Sequence, residues 1–360
     1  TGKLVPVPKK ACVPTDKSTY RGICVSSIFG KLHDSILTAL GEEAVENLGL
    51  RAPTQFGFRR YHGTIDALFV SNHLINRCRH HKQVLYTCYV DFVQAFDMAR
   101  RLDGMVQRAA QLGIHGHFLE ALKSSMSNAY LAVSVNGQLG ERFATYRGTK
   151  QGSELSPLLF GLFIEQLHEL IAMQLPGAGP CIDGMHVPDI IYADDVKLLA
   201  VNDPAALQQL LDVLHLFCCL FDMKVNLKPH KTCIVIFRAP GAKVPSGLRW
   251  YIHGKEVHIS DQYIDLGAMH HATCGIKLTR DALAASGSKA MHALLTRCRA
   301  HHIAQPDFKL RLFDIQIEPV LSYGCQVWGP EVVCQKLHDP LGLPSEKVHQ
   351  SFLRIMYGVG

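Results

Sequence analysis

Two adjacent carboxylates interrupt a strongly apolar stretch near the middle of the chain. Asp194 and Asp195 end the tetrapeptide Tyr-Ala-Asp-Asp, which lies between the apolar pair Ile190-Ile191 and the apolar run 196–201. Such a pattern predicts a β-hairpin with both acids at its tip. Because neighbouring anions repel each other and are costly to remove from water, a divalent cation beside them would relieve both penalties.

A third acid, Asp91, lies far upstream in the apolar run 85–92. An isolated acid at the end of one strand, together with a pair of acids on a hairpin, is a suitable ligand set for two Mg²⁺ ions that support phosphoryl transfer. The alternative interpretation is a solvated strand end and a solvated acidic turn. The sequence therefore predicts a metal-dependent phosphoryl-transfer site, provided that these acids meet in the fold.

The composition is that of a globular protein with basic clusters. The 360 residues are 48% hydrophobic and 19% charged, which is enough for a large core and for two or three subdomains. The net charge is +6, and basic residues cluster at Arg59-Arg60, 77–82, Arg100-Arg101 and 297–299. These clusters favour a polyanionic partner, although ordinary solvated faces would produce the same pattern.

The twelve cysteines show no C-x-x-C spacing. Free thiols in a reducing compartment are therefore expected, which predicts an intracellular protein of the nucleus or cytoplasm. Cys218 and Cys219 fall in an apolar helical pattern and are both predicted to be core residues. Cys298 and His301 have ligand-like spacing, but no second pair is nearby to complete a zinc site.

No membrane partner is expected from the sequence. Its longest apolar stretches, such as Leu158 to Ile164, are too short to cross a bilayer, and no signal peptide is visible. The chain begins at Thr1 rather than at Met. We therefore expect it to be a segment of a longer polyprotein.

The order of elements predicts an α+β fold with antiparallel strands under helices. Strands are expected at 85–92 and 233–237, and hairpins at 130–145, turning at Asn136-Gly137, and at 250–259. Helices are expected to open at Ser156-Pro157 and Asp203-Pro204, and the chain is mainly helical from about residue 276. Asp91 and Asp194 would then lie on neighbouring strands.

Several segments together closely resemble the reverse transcriptase domain of non-LTR (LINE-type) retrotransposons. They occur in the family's order along nearly the whole chain: YRGI (20–23), QFGFR (55–59) with TIDA (64–67), VDFVQAFD (90–97), QGSELSP (151–157), YADD (192–195), VN…KT (225–232) and SYGCQVWG (322–329). Two positions depart from the family pattern, since Gly22 replaces a proline and Asp265 replaces an aromatic residue in the primer-grip region.

The resemblance implies a right-hand polymerase with an antiparallel palm sheet backed by helices. Fingers would cover residues 1–85 and return near 115–150, the palm would cover 86–270, and a helical thumb would cover 271–360. The implied metal ligands are Asp91, Asp194 and Asp195, with Asp195 either binding directly or supporting the site. They would bind two Mg²⁺ ions, with Mn²⁺ as a possible substitute. Lys231 would protonate the leaving pyrophosphate.

The resemblance also implies a nucleotide site. Arg59 would clamp the triphosphate, with its neighbour Arg60 as the alternative. Phe96 would act as a steric gate against a 2′-hydroxyl, or would be an ordinary core residue. Gln151 and Gly152 would contact the nucleotide, or would form a polar loop before a helix.

The implied partners are an RNA template, a DNA primer and dNTPs, held mostly through backbone phosphates. An endonuclease is expected elsewhere in the polyprotein. Alternative interpretations are a group II intron or retron reverse transcriptase, an RNA-directed RNA polymerase, and a non-catalytic nucleic-acid-binding remnant of a decayed element. Phe96 argues against ribonucleotide use, and the intact acids Asp91, Asp194 and Asp195 argue against decay.

Overall fold

The computed structural model describes residues 2–8, 13, 15–16, 19–127, 129–149, 152–336 and 342–358. Its strands pair into five sheets, one of four strands, one of five and three of two. In chain order the strands are β1 (Gly2–Pro8), β2 (Tyr20–Val25), β3 (Leu85–Val90), β4 (Ala129–Val135), β5 (Gln138–Thr145), β6 (Cys181–Ile182), β7 (Met185–His186), β8 (Asp189–Tyr192), β9 (Asp195–Val201), β10 (Cys233–Phe237), β11 (Tyr251–Ile252), β12 (Lys255–Glu256), β13 (His258–Ile259), β14 (Gln262–Asp265) and β15 (Ala268–His271).

Helices connect these strands and dominate the C-terminal third of the chain. A π-helical segment, Arg101–Val106, precedes the fourth helix. In chain order the α-helices are α1 (Ile28–Asn47), α2 (Thr64–His80), α3 (Ala95–Met98), α4 (Gln107–Gln111), α5 (Gly116–Met126), α6 (Leu155–Ile164), α7 (Gln166–Gln174), α8 (Pro204–Phe221), α9 (Thr279–Ala300), α10 (Pro306–Gln316), α11 (Glu318–Leu321), α12 (Cys325–Lys336) and α13 (Pro344–Tyr357).

The four-stranded sheet has the order β2-β1-β4-β5. Strands β4 and β5 form the hairpin expected from the Asn-Gly dipeptide, with Val135 paired to Gln138. Both turn residues have positive φ, 51° at Asn136 and 82° at Gly137. Asn and Gly tolerate this conformation better than other residues do, so this part of the sequence prediction is confirmed.

The five-stranded sheet has the order β13-β10-β3-β9-β8. Every residue of β3 is buried, which explains the unbroken apolar run 85–90. Strands β8 and β9 pair antiparallel. Since β3 lies directly beside β9, the acids that follow β3 and precede β9 belong to neighbouring strands, as predicted.

Helix α8 shows how the sequence positions its apolar face. The side chain of Asp203 caps the helix by accepting a hydrogen bond from the backbone N–H of Ala205 at 2.8 Å. Cys218 is buried in the core face, whereas Cys219 is exposed. The prediction that Cys219 is a core residue is therefore wrong, because adjacent helical positions point about 100° apart. Helix α6 begins at Leu155, one residue before the expected opening at Ser156-Pro157.

Contacts group the chain into two compact units. The first contains residues 1–63, 86–234 and 247–258, and it includes Asp91 and Asp194. The second contains residues 64–85, 235–246 and 259–360. Its apolar core joins side chains of α9, α10 and α13, among them Met291, Phe313 and Phe352. One division between the units falls between residues 85 and 86, whereas the second unit continues through residue 270; the assignment to fingers, palm and thumb stays a prediction.

Two helical stretches, Leu155–Gln174 and Pro204–Phe221, are long and apolar enough to cross a membrane by length and composition alone. The first extends well beyond the run Leu158–Ile164 considered in the sequence. This is weak evidence for a membrane, because core helices of soluble proteins pass the same test. The most apolar window of the first stretch is 67% buried inside the protein. The expectation of no membrane partner stays a prediction.

Candidate active site

Asp91 follows the last residue of β3 and is fixed there by a distant segment. Its backbone N–H donates to Oγ1 of Thr232 at 3.0 Å. Its carbonyl accepts from the backbone N–H of Asn226 at 2.7 Å. The next residue, Phe92, forms an antiparallel bridge with Val225. The segment 225–232, which was recognised in the sequence as a motif, therefore holds the backbone of Asp91 in place.

The same segment contacts the carboxylate of Asp91. Asn226 Nδ2 donates to Oδ2 at 2.8 Å, and Lys231 Nζ lies 3.4 Å from Oδ1. The Lys231 side chain is 54% exposed and the Asp91 side chain 26% exposed. Both groups are therefore reachable from solvent, while the amide contact restricts the orientation of the carboxylate.

The second acid lies in the loop of the β8–β9 hairpin. Tyr192 pairs with Asp195, so Ala193 and Asp194 form a two-residue loop. Ala193 has a φ of 57°, in the left-handed region. Asp194 is half-buried, and Asp195 is exposed as the first residue of β9. The expected hairpin is present, with Asp195 in the strand rather than in the turn.

A segment before α2 sets the position of this hairpin. Ile191 donates its N–H to the carbonyl of Thr54 at 2.9 Å and accepts from the N–H of Phe56 at 2.9 Å. Gly57 then passes directly over the loop, where an added Cβ would lie 2.1 Å from the backbone nitrogen of Ala193. Only glycine fits there, which gives the Gln-Phe-Gly-Phe-Arg motif a structural reason.

The start of β8 is tied down by a buried polar network. Asp189 is fully buried and accepts from Oγ1 of Thr54 at 2.6 Å. Its other oxygen lies 2.8 Å from Nδ1 of His168 on α7. The hydrogen bond to Asp189 raises the pKa of His168; burial opposes this shift, and the charge of Asp189 adds to it. The ion-paired form of His168 is thereby favoured at the base of the hairpin.

Electrostatics link the two catalytic candidates. Burial raises the pKa of Asp194, and the negative charge of Asp91 raises it further, while a backbone hydrogen bond and the charge of Arg21 oppose the shift. The carboxylate of Asp91 is thus close enough to disfavour ionisation of Asp194. Hard divalent cations prefer such oxygen ligands, so the carboxylates of Asp91 and Asp194 suit a divalent metal ion.

The expected nucleotide residues have different surroundings. Phe96 is half-buried and stacks on the buried ring of Phe160, with centroids 4.1 Å apart. Its edge neighbour is Phe58, at 6.1 Å. Gly152 has a φ of 114°, and a Cβ there would lie 2.6 Å from the carbonyl oxygen of Cys24. The backbone at Gly152 therefore lies close against β2. Gln151 lies outside the described residues.

Arg59 is committed to partners within the protein. Its Nε and Nη2 donate to the two carboxylate oxygens of Glu46 at 3.0 and 2.8 Å. Its Nη1 donates to the carbonyls of Ala52 and Gln55 at 3.2 and 3.1 Å. The paired N–H donors of the guanidinium, which would bind a triphosphate, are thus already bound to Glu46. This argues against Arg59 as the triphosphate-binding residue. Its neighbour Arg60 is exposed.

A second predicted basic cluster also contains a structural residue. Arg101 is only 4% exposed and donates to the carbonyls of Gly148 and Thr145. Arg100 pairs with Asp103 at 3.1 Å. The Arg100-Arg101 cluster was predicted to favour a polyanionic partner, but its Arg101 binds backbone carbonyls within the protein.

Sequence reasoning missed three residues near the acids. Asn226 and Thr232 fix Asp91, and Arg21 on β2 acts electrostatically on Asp194. All three belong to motifs quoted above, so the signal was present. The sequence could not assign them individual roles, because they act on residues far away in the chain, up to 141 positions for Thr232 and Asp91.

One acid directly follows β3, and two acids lie in or directly after the turn of the neighbouring β8–β9 hairpin. This arrangement is that of a polymerase palm. A family model described as reverse transcriptase (RNA-dependent DNA polymerase) matches residues 7–266. The chain therefore belongs to the reverse transcriptase family, and its curated relatives confirm the non-LTR, LINE-type resemblance.

One such relative is the Retrovirus-related Pol polyprotein from type-1 retrotransposable element R2 of Popillia japonica, 26% identical over 329 residues, which cover 89% of this chain and 43% of the relative. Another is the probable RNA-directed DNA polymerase from transposon BS of Drosophila melanogaster, which is 27% identical over 325 residues. The match covers 86% of this chain and 34% of the relative. The chain spans less than half the length of either relative.

The fold agrees with this assignment. Apo telomerase from Candida tropicalis superposes with a TM-score of 0.52 at 12% identity, covering 99% of this chain and 64% of the other. The α+β, right-hand polymerase fold with an antiparallel hairpin in its palm sheet is thus confirmed.

Proposed function

We propose that this chain is an RNA-directed DNA polymerase that transfers nucleotides from dNTPs to the 3′-hydroxyl of a DNA primer on an RNA template. The observation that carries the proposal is that Asp91 directly follows β3, Asp194 directly precedes the neighbouring strand β9, and the charge of Asp91 acts on Asp194. Family membership supports the reaction class, since relatives are named as RNA-directed DNA polymerases.

Asp91, Asp194 and Asp195 are the proposed metal ligands. Two Mg²⁺ ions, or Mn²⁺ in their place, would supply neutralisation of the triphosphate charge and activation of the primer hydroxyl. Asn226 holds Oδ2 of Asp91 in one orientation. Hydrogen bonds from Thr54 and His168 to Asp189 hold the base of the hairpin against α7 and the segment before α2.

Lys231 is the proposed general acid for the leaving pyrophosphate. Its Nζ lies 3.4 Å from Asp91 and is exposed, so it can reach an anion that enters beside that carboxylate. Phe96 is proposed to contact the sugar, and Gln151 and Gly152 to contact the nucleotide. With Arg59 held by Glu46, we assign the triphosphate contact to Arg21, whose charge already acts on Asp194, and to exposed Arg60.

The wider context is also part of the proposal. Relatives are named as polyproteins of retrotransposable elements, which supports a longer polyprotein, with an endonuclease expected outside this segment. The ten cysteines that the structure describes are free, which supports a reducing compartment, the nucleus or the cytoplasm.

Incorporation of labelled dNTPs on a primed RNA template, with and without Mg²⁺ or Mn²⁺, tests the proposal. Asp91→Asn and Asp194→Asn should each abolish synthesis, because one ligand charge is lost at almost unchanged volume. Glu141→Gln, an exposed acid in the same unit, is the matched control and should keep full activity. Wild-type protein that binds the template without synthesis would indicate a decayed remnant. Preferred use of rNTPs would indicate an RNA polymerase.

A further inference from the structure

A cluster of nitrogen and sulfur ligands lies on the side of α8 that faces the β11–β12 hairpin. His215 and Cys219 are one helical turn apart on α8, and His253 lies in the loop of the hairpin. One ligand atom from each of the three residues lies within 4.8 Å of the other two. Among the residues that the structure describes, this is the one such group found. Cys298, by contrast, is buried in the core of the second unit, and His301, three positions later, is exposed.

The distances are close to those of a metal centre. Sγ of Cys219 lies 3.8 Å from both ring nitrogens of His215. The rings of His215 and His253 are perpendicular, with centroids 4.1 Å apart. Tetrahedral zinc with bonds of about 2.3 Å to sulfur and about 2.0 Å to nitrogen holds its ligand atoms roughly 3.5 Å apart. The ligand atoms are thus near the required spacing, and binding one ion would need both imidazole rings to rotate, because Sγ is equidistant from the two nitrogens of His215.

We propose that His215, Cys219 and His253 form a zinc site that clamps the β11–β12 hairpin to α8. Thiolate and imidazole ligands select Zn²⁺ over Mg²⁺, which prefers oxygen. The site is therefore chemically distinct from the carboxylates of the polymerase centre. It does not depend on the proposed polymerase function.

The surroundings suit a three-ligand centre with a fourth position open to water. A surface cleft of ≈ 360 Å³ is lined by His215 and His253 together with Gln208, Asp212 and Tyr251. Cys219 and His253 are exposed, so an ion can enter from solvent.

The base of the β11–β12 hairpin is already bound to α8 by hydrogen bonds, so a metal ion at its tip would add a second attachment. Nε1 of Trp250 donates to the carbonyl of Pro204 at 2.8 Å. Gln208 exchanges two hydrogen bonds with the backbone of Tyr251, at 3.0 and 2.9 Å. These contacts tie the base of the hairpin to the first part of α8. A metal at His253 would tie its tip to the last part of the same helix.

Titration of the reduced full chain with Co²⁺, followed by absorption spectroscopy, tests this site. A thiolate-to-cobalt charge-transfer band should develop at one ion per chain and be displaced by Zn²⁺. Carboxylates such as Asp91 and Asp194 cannot produce this band, so binding at the polymerase centre does not interfere. Zn²⁺ should also raise the midpoint of thermal unfolding.

Matched variants identify the ligands. Cys219→Ser should abolish the band, and His253→Gln should weaken Co²⁺ affinity by more than about tenfold. Cys181→Ser and His117→Gln remove another exposed cysteine and another exposed histidine of the same unit and should leave the titration unchanged. Absence of the band in wild-type protein, its persistence in Cys219→Ser, or a stoichiometry of two chains per ion would overturn the proposal.

Discussion

The side-chain amide of Asn226 donates a 2.8 Å hydrogen bond to Oδ2 of Asp91, across 135 positions of sequence. This contact leaves Oδ1 on the side of Lys231. The orientation of a metal-binding carboxylate is commonly set by such an outer hydrogen bond. Asn226 is therefore a positioning residue for the proposed metal site.

Asn226→Ala should reduce primer extension by about 10–100-fold and raise the Mg²⁺ concentration needed for half-maximal rate. The cause is the loss of the contact that orients Asp91. The measurement is the rate of extension across a Mg²⁺ series, with Gln209→Ala, on the exposed side of α8, as a control. An unchanged Mg²⁺ dependence would show that Asp91 keeps its orientation without the amide.

Gly57→Ala should inactivate the polymerase while the chain stays folded. An added Cβ would meet the backbone nitrogen of Ala193 at 2.1 Å, so the loop that carries Asp194 must move. Gly140→Ala is the matched control in the same unit, since the closest atom to its added Cβ is 3.6 Å away. Extension rates and circular dichroism spectra of both variants decide the matter. Full activity of Gly57→Ala would mean that the loop tolerates the displacement.

Phe96→Val should increase use of rNTPs relative to dNTPs. Loss of a steric gate would shift discrimination by roughly 1–3 kcal/mol, the range for small shape differences in a pocket. The ratio of kcat/KM for dCTP and CTP measures this shift. Phe58→Val removes the edge neighbour of the same ring and controls for lost aromatic packing. If both variants keep the wild-type ratio, Phe96 serves only as a packing partner of Phe160.

Arg59→Ala should destabilise the fold by about 1–3 kcal/mol and leave the KM for dNTPs nearly unchanged. Burial alone would raise the pKa of Glu46, but the hydrogen bond and charge of Arg59 overcome this effect and lower it. Removing Arg59 thus leaves a carboxylate without its main partner. Urea unfolding measures the stability, and steady-state kinetics measures the KM. A large rise in KM at unchanged stability would return the triphosphate contact to Arg59.

The His168–Asp189 pair should make stability depend on pH. The folded-state pKa of His168 is raised, so its contribution is complete below the unfolded pKa of about 6.5 and is lost as pH rises through the folded value. Thermal unfolding of wild type and His168→Gln should therefore differ most at acid pH and converge at alkaline pH. A difference that grows with rising pH would contradict the assignment of the pair.

Local patterns in the sequence predicted the elements well. The Asn136-Gly137 turn, the Asp203 cap and the apolar strand 85–90 each depend on neighbours within a few positions, where propensity and periodicity act. The two acidic segments could be placed on adjacent strands because the element order restricts the topology. Ordered motifs then identified the family.

Side-chain partners were much less predictable. Arg59 was expected to face a triphosphate, but its guanidinium is held by Glu46, thirteen positions earlier on α1. The His215, Cys219 and His253 cluster joins a helix to a hairpin loop, and no fixed spacing in sequence marks such a pairing. Contacts of this kind depend on how elements pack, which one sequence without geometry does not specify.

The link between Asp91 and residues 226–232 has a consequence for biosynthesis. Strand β3 leaves the ribosome long before its partners, since Asp91 and Thr232 are 141 positions apart. A nascent chain that ends before Asn226 lacks the amide that orients the carboxylate of Asp91. Non-local contacts of this length also form slowly. Under the proposed function, a chain that terminates in that interval would lack the contacts that orient Asp91, so the proposed site would be completed only late in synthesis.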